Sequence, residues 1–326
     1  MKFRTELPAF SVPEKIEPGH AIFLAGSCFT EHIGAYLHEH GFAMLQNPHG
    51  IIFNPLSIEK TLADCVSARV YTEADFFMSG EIWHSWHHHS RFSSMQLPVA
   101  IEAVNKSITE AHAFLQQARW VVLTLGSAFV YHLAENDMPV ANCHKEPAHT
   151  FYKKMLSPEE AEQSLTRSLQ MLRGFNPDLR ILLTVSPVRH AREGLVQNNR
   201  SKASLIYAAH ALCERMQGVY YFPSFELVND DLRDYRYFME DMVHPNRQAT
   251  AYVWQRFCES MLSAAAAGMV KRVYPLHMAA QHRPFNPHSE EHSRFRNRNR
   301  ELLLELQRDF PGLVLSDALR SLLHNS

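Results

Sequence analysis

Short apolar runs separated by amphipathic stretches set the pattern of this chain. Five runs read as strands: 20–25 (HAIFLA), 42–46 (FAMLQ), 120–125 (WVVLTL), 180–186 (RILLTVS) and 219–222 (VYYF). Residues 120–125 and 181–185 are almost continuously apolar, as strands covered on both faces are. The segments between them carry helix-start signals. Ser157-Pro158-Glu159-Glu160 places a capping serine, a proline at the first helical position and a glutamate at the third; Leu165, Leu169 and Leu172 follow at helical spacing, and Gly174 closes the helix. Asn54-Pro55 opens another helix, continued by Leu62 and Val66, and 199–216 and 246–265 complete the set. Strands alternating with helices predict a parallel sheet with helices on both faces, a three-layer α/β/α fold of flavodoxin-like type.

Two regions depart from this alternation. Residues 68–118 are longer than a simple crossover and rich in aromatic and histidine residues, among them Phe76, Phe77, Trp83, Trp86, His87, His88, His89 and Phe92. They predict a helical insertion beside the sheet. Beyond residue 270 the chain turns rich in Pro, His, Arg and Asn, then runs amphipathically over 289–310. The expected organisation is a domain over 1–265 and a C-terminal helical extension over 266–326, packed on the domain or serving a homo-oligomer contact.

Composition narrows the function only slightly. At 326 residues and 46% hydrophobic, the chain can bury one large α/β core or two modest ones. A net charge of -2 provides no basic field for nucleic acid, so no nucleic-acid partner is expected. The five cysteines are odd in number, far apart and free of CxxC pairing, which argues against both a disulfide framework and a zinc knuckle. The first residues hold no uninterrupted apolar stretch before a small-residue cleavage site, and no window approaches the ~18 apolar residues of a membrane span. The expectation is a soluble, cytoplasmic protein with no membrane partner.

Candidate chemistry lies at the two ends of the strand-helix array. The first strand runs straight into Gly26-Ser27 and then a helix. Sites in open parallel sheets form outside the carboxyl ends of the strands, so Ser27 is placed as a nucleophile, with its own N–H near a helix start to help hold an oxyanion. Locally, the same dipeptide also reads as a plain turn and N-cap. At the far end, Asp241-Met242-Val243-His244-Pro245-Asn246 supplies a carboxylate and an imidazole three residues apart. Pro245 suits the first helical position, leaving His244 at the N-cap.

Several segments together resemble the GSCFA family, a branch of the SGNH (GDSL-like) hydrolase superfamily. Gly26-Ser27-Cys28-Phe29-Thr30 looks like its signature, with threonine where the name has alanine. Asn47-Pro48-His49-Gly50 with Asn54-Pro55, Thr124 to Ser127, Thr184 to Val188, Ser201-Lys202, Tyr221 to Ser224 and Asp241 to Asn246 follow in consistent order. The resemblance implies that Ser27, His244 and Asp241 form a catalytic triad, with the backbone N–H groups of Ser27 and Gly50 as oxyanion donors. The superfamily's Gly-x-Asn third block is replaced by Gly126-Ser127-Ala128, so no asparagine donor stands there. Ser127, or Asn47 or Asn54 from the second block, is the substitute. His89-Ser90 resembles a family segment, and Asn47, Asn54, His89 and Ser90 are the residues implied to contact substrate.

Other clusters have plainer readings. His84 and His88 at helical i, i+4 spacing lack a completing HExxH or CxxC motif, so a partly polar aromatic wall is preferred to a metal site, and no metal or cofactor is expected. Cys28 reads as a buried structural cysteine and Lys202 as a solvated helix lysine rather than half of a Ser201-Lys202 dyad. Arg294, Arg296, Arg298 and Arg300 are flanked by Glu290, Glu291, Glu301 and Glu305, which suggests a salt-bridged solvated face. The function expected is a serine esterase of SGNH type on a small-molecule or carbohydrate acyl ester. The alternatives are an O-acyltransferase with the same triad, or a non-catalytic ligand-binding module.

Overall fold

A computed structural model describes residues 4–8, 10–286 and 288–323. Its first half runs β1 (Ile22–Gly26), α1 (Cys28–Glu39), β2 (Met44–Gln46), α2 (Pro55–Ser67), β3 (Phe77–Ser79), β4 (Ile82–His84), α3 (Leu97–Gln117) and β5 (Trp120–Leu125). After β6 (Phe129–Leu133), β7 (Pro139–Val140) and β8 (Phe151–Met155) come α4 (Pro158–Phe175), β9 (Arg180–Val185), α5 (Leu195–Arg215), β10 (Val219–Phe222) and a short α6 (Ser224–Glu226). Helices α7 (Arg247–Met261), α8 (Ala264–Gln281), α9 (Glu290–Asp309) and α10 (Asp317–Ser321) complete the chain.

The central sheet has the order β10-β9-β5-β1-β2, and every pair in it is parallel. Counting only these five strands, the order is the flavodoxin-like 2-1-3-4-5, whose direction reverses between β1 and β5. Side chains alternate across the sheet. Ile22 and Leu24 join Phe29, Ile33, Val253, Phe257 and Met269 on the face covered by α1, α7 and α8. Phe23 and Ala25 join Ile58, Leu62, Leu165, Leu169 and Leu205 on the face covered by α2, α4 and α5. The three-layer α/β/α expectation therefore describes the fold, and all five expected strands occupy this sheet.

Several boundaries differ for physical reasons. Gly174 lies inside α4; Asn176 ends that helix, its amide donating to the carbonyls of Leu115 (3.0 Å) and Ala118 (2.9 Å). The helix expected over 246–265 breaks at Leu262, where Ile16 pairs with the chain, and Ser263 caps a fresh helix by accepting the Ala266 N–H at 3.1 Å. Residues 68–118 are only partly an insertion. Tyr71, Phe76, Ala100, Val104 and Ile108 form a small core of their own, while Ala111 and Leu115 at the other end of α3 belong to the main core. The antiparallel sheet β7-β6-β8 went unforeseen because its strands are short and mix aromatic with charged residues, as in Phe151-Tyr152-Lys153-Lys154-Met155.

The C-terminal helices share the main core. Met269 and Val273 of α8, Leu303 and Leu306 of α9 and Leu319 of α10 are fully buried in the cluster that contains Ile22 and Leu24. Leu303→Ala or Leu306→Ala is expected to cost about 2–5 kcal/mol. The cost should appear in urea as a lower midpoint for one transition of the whole chain. A separate early transition confined to the C-terminal helices would contradict the shared core.

Candidate active site

The turn after β1 is built by three neighbouring segments. Gly26 has φ +146°, and a Cβ there would lie 2.2 Å from the Thr124 carbonyl oxygen, so no side chain fits. Its N–H donates to Asn47 Oδ1 at 2.9 Å, and its carbonyl accepts the Ile52 N–H at 3.1 Å. Ser27, 3% exposed, donates its N–H to Thr124 O at 3.1 Å. Its Oγ is the N-cap of α1 and accepts the Phe29 N–H at 3.2 Å. The cap uses a lone pair of Oγ and leaves the hydroxyl proton to another acceptor. No hydrogen bond joins Oγ to His244 among the described residues.

His244 and Asp241 form a tight pair on the loop before α7. Asp241 Oδ2 lies 2.7 Å from His244 Nδ1, while Oδ1 accepts the N–H groups of Val243 (2.9 Å) and His244 (3.0 Å). The His244 N–H, its ring and the Val243 N–H hold the carboxyl at about 2, firmly ionised. Asn246, not His244, caps α7, accepting the Ala249 N–H at 3.1 Å. His244 is instead pinned by its carbonyl, which accepts the Met239 N–H at 2.7 Å. Arg189, in the segment after β9, donates its N–H to Val243 O at 3.2 Å and its guanidinium to Met242 O at 3.3 Å. That brings the pair to the edge of the sheet where Ser27 sits.

The other residues singled out in the sequence are mostly engaged with the protein. Asn47 (φ +48°) braces Gly26 and contacts Glu31 through Nδ2 at 3.4 Å. Gly50 donates its N–H to Asn47 O at 2.8 Å, and its bare Cα is needed because a Cβ would meet His89 Cβ at 2.1 Å. Asn54 caps α2, accepting the Ser57 N–H and donating to Ser57 Oγ, both at 2.9 Å. Ser127 Oγ accepts the Phe129 N–H at 3.1 Å and lies 3.3 Å from Ser201 Oγ. His89 and Ser90 begin a short 3₁₀ turn. The His89 Nδ1 accepts the Arg91 N–H at 3.3 Å, and Ser90 is exposed. Arg91 and Ser107 in turn hold the carbonyls of Asn47 and Pro48.

Lys202 overturns its expected solvated position. It is 1% exposed, and Nζ donates to Gly126 O (2.5 Å) and Ser186 O (2.7 Å) at the ends of β5 and β9. Burial lowers its pKa to about 7. A signal was available in the sequence, because Asn198, Ser201, Lys202, Leu205, Ala208, Ala209 and Leu212 mark one helical face, all buried. Cys28 keeps its thiol, since burial raises its pKa.

The histidine segment is not helical, so the i, i+4 pairing fails: His84 ends β4 and His88 follows in a loop. His49 and His88 pack ring on ring at 4.1 Å, beside Tyr71. No group of three or more His, Cys, Asp or Glu among the described residues is disposed to hold a metal ion.

A groove of about 1080 Å³ opens beside Pro245 between α1, α7 and α8, with His32, Tyr36, Met239, Trp254 and Tyr274 in its walls. Among the described residues, no helix is long and apolar enough to cross a membrane.

These features define a doubly wound α/β protein whose candidate site lies at the carboxyl edge of its sheet. The chain belongs to the GSCFA family, which it matches over residues 21–257, and residues 274–324 match the C-terminal domain of GSCFA domain proteins. A solved structure described as a candidate platelet activating factor from Streptococcus pneumonia is similar at 15% identity. That likeness covers 74% of this chain and 83% of the other, with a TM-score of 0.37. An acetyl xylan esterase from the rumen bacterium Butyrivibrio proteoclasticus is similar at 11% identity over 83% and 66% of the two chains, with a TM-score of 0.30. A comparison with curated proteins gives no match.

The buried histidines make stability depend on pH. Burial, with the nearby Lys60 and His87 charges, depresses His49 to about 3, and burial with the neighbouring His49 and His87 pushes His88 well below its ordinary value. The unfolded chain takes up these protons near pH 6.5 and the folded chain resists them. Stability is therefore complete above about pH 6.5 and falls as pH drops toward the folded values, by up to about 1.4 kcal/mol per pH unit for each histidine. Urea midpoints at pH 8, 6 and 5 should decline in that order, and His88→Phe should flatten the decline. Equal midpoints would contradict it.

Proposed function

We propose that this protein is a serine-dependent ester hydrolase in which Ser27 is the nucleophile, His244 the base and Asp241 the residue that orients it. The Asp241–His244 pair carries the reading. An aspartate fixed by two backbone N–H groups, with its free oxygen 2.7 Å from Nδ1, holds the imidazole in the tautomer that leaves Nε2 ready to accept a proton. Ser27 supports it from the other side. It stands at the end of β1, beside the strand-order reversal, on the N-terminus of a helix that favours a developing alkoxide.

In this reading Oγ leaves its cap contact and attacks the ester carbonyl as His244 Nε2 takes its proton. The tetrahedral intermediate collapses with His244 returning that proton to the departing alcohol, and water then repeats the sequence to release the acid. Transfer to an acceptor hydroxyl differs only in this last step. The groove beside Pro245 gives the body of a hydroxylated or carbohydrate ester a place to lie. A non-catalytic binding role is favoured by one observation: the N–H groups of Ser27 and Gly50 are both engaged with protein carbonyls. An oxyanion hole has to be assembled by small shifts as substrate enters.

Labelling with a fluorophosphonate and turnover of short p-nitrophenyl esters test the reading. Labelling forms an Oγ–P bond and expels fluoride. The wild-type protein should label and Ser27→Ala should not, while Asp241→Asn should lower turnover by on the order of 10³-fold or more. Absence of both labelling and turnover in the wild type would leave the binding module as the better account.

A further inference from the structure

A buried ammonium without a carboxylate is costly, and this chain holds one beneath its candidate site. Lys202 is fully buried, and no salt bridge to it occurs among the described residues. Moving such a charge out of water costs several kcal/mol even after relaxation. Two carbonyl dipoles, Gly126 O and Ser186 O, offset part of that cost. A structural tie between these loops needs no charge; a neutral amide would serve.

The ammonium is connected to Ser27 by a short path. Gly126 lies two residues beyond Thr124, whose carbonyl accepts the Ser27 N–H at 3.1 Å. Ser201, the preceding residue of the same helix, accepts the Ala128 N–H at 2.7 Å, so α5 grips the segment after β5 at two points. The Cys28 thiol, next to Ser27, and His190, after β9, are the ionisable groups that bear electrostatically on Lys202, and Arg189 of that same segment donates its N–H to Val243 O at 3.2 Å, beside His244. The lysine thus bonds two segments, one that touches Ser27 and carries Ser127 and another that touches the Asp241–His244 loop.

We propose that Lys202 is a positioning residue for the chemistry at Ser27: its ammonium ties the ends of β5 and β9 together and supplies a buried positive charge that favours the oxyanion. The inference rests on the reading of Ser27 as nucleophile. Its logic is differential. The charge is poorly compensated in the resting protein and better compensated when negative charge develops nearby, so its stabilising effect falls on the transition state. Burial brings the ammonium close to neutral titration, so it is lost on the alkaline side of pH 7.

The rate of phosphonylation by a fluorophosphonate, followed against pH, reads this role directly. Wild-type protein should show a decline in rate on the alkaline side. Lys202→Met, folded as judged by circular dichroism, should react about 10²-fold more slowly and lose that decline. A Lys202→Met protein with the wild-type rate and the same alkaline decline overturns the proposal. Should that variant fail to fold, ¹⁵N-lysine NMR of the wild-type protein decides. Once the Ser27 adduct, neutral as first formed, has lost its alkoxy group to water as the alcohol and become the P–O⁻ anion, the titration midpoint of the Lys202 Nζ should rise by about one pH unit, and an unmoved midpoint overturns the role of Lys202 alone. Failure of the wild-type protein to be phosphonylated overturns the Ser27 reading itself, and the positioning role falls with it.

Discussion

The carbonyl oxygen of Thr124 occupies the space that a side chain at Gly26 would need, and the rest of the site depends on this close approach. It lets β5 lie against the last residue of β1 in parallel register, with Gly26 opposite Thr124. It also turns the same carbonyl toward the Ser27 N–H, fixing where α1 begins. Asn47 and Ile52 then engage the remaining backbone groups of Gly26, so the segment after β2 is registered against the same point. A side chain at Gly26 would displace β5 and the second-block turn together.

Around this fixed point the polar groups divide into two kinds. Those inside, Ser27, Asn47, Asn54, Ser127, Ser201 and Lys202, are buried and bonded to backbone, as buried polar groups must be. Those on the rim, the exposed Asp241 and the half-buried His244, are held by loop hydrogen bonds. Met242, at φ +58°, lets that loop double back so that the Asp241 carboxylate meets the two N–H groups beyond it.

What the sequence revealed and what it concealed follow from the range of the interactions involved. The strands 120–125 and 219–222 were legible to the residue because their apolar runs are closed by Gly126 and by Pro223. Asn54 and Ser157 were legible as caps because capping is local chemistry, decided within four residues. The Gly26 turn was visible as a place, but not the reason for its glycine, since Thr124 lies 98 residues away in the chain. At Lys202 two sequence signals conflict: the position on the Leu205 and Ala209 face calls for burial and the charge calls for water, and in the fold the periodicity wins. The break at Leu262 was hidden for the same long-range reason, because Ile16 creates it.

The capping role of Ser27 and a nucleophilic role are compatible in energy. An N-cap hydrogen bond contributes about 1 kcal/mol, and the cap accepts at Oγ without consuming its proton. Releasing it to attack a carbonyl therefore adds little to a barrier, and the helix N-terminus continues to favour the anionic oxygen. Oxyanion donors are a larger matter, at about 3 kcal/mol each. The N–H groups of Ser27 and Gly50 are committed to Thr124 and Asn47, so on the proposed reading each has to turn or share its hydrogen to act. On the proposed reading, the barrier depends less on the capped serine than on how readily the strand ends and the Asn47–Gly50 turn release their N–H groups. The role proposed for Lys202 answers that limit with a buried charge that acts without any donor having to move.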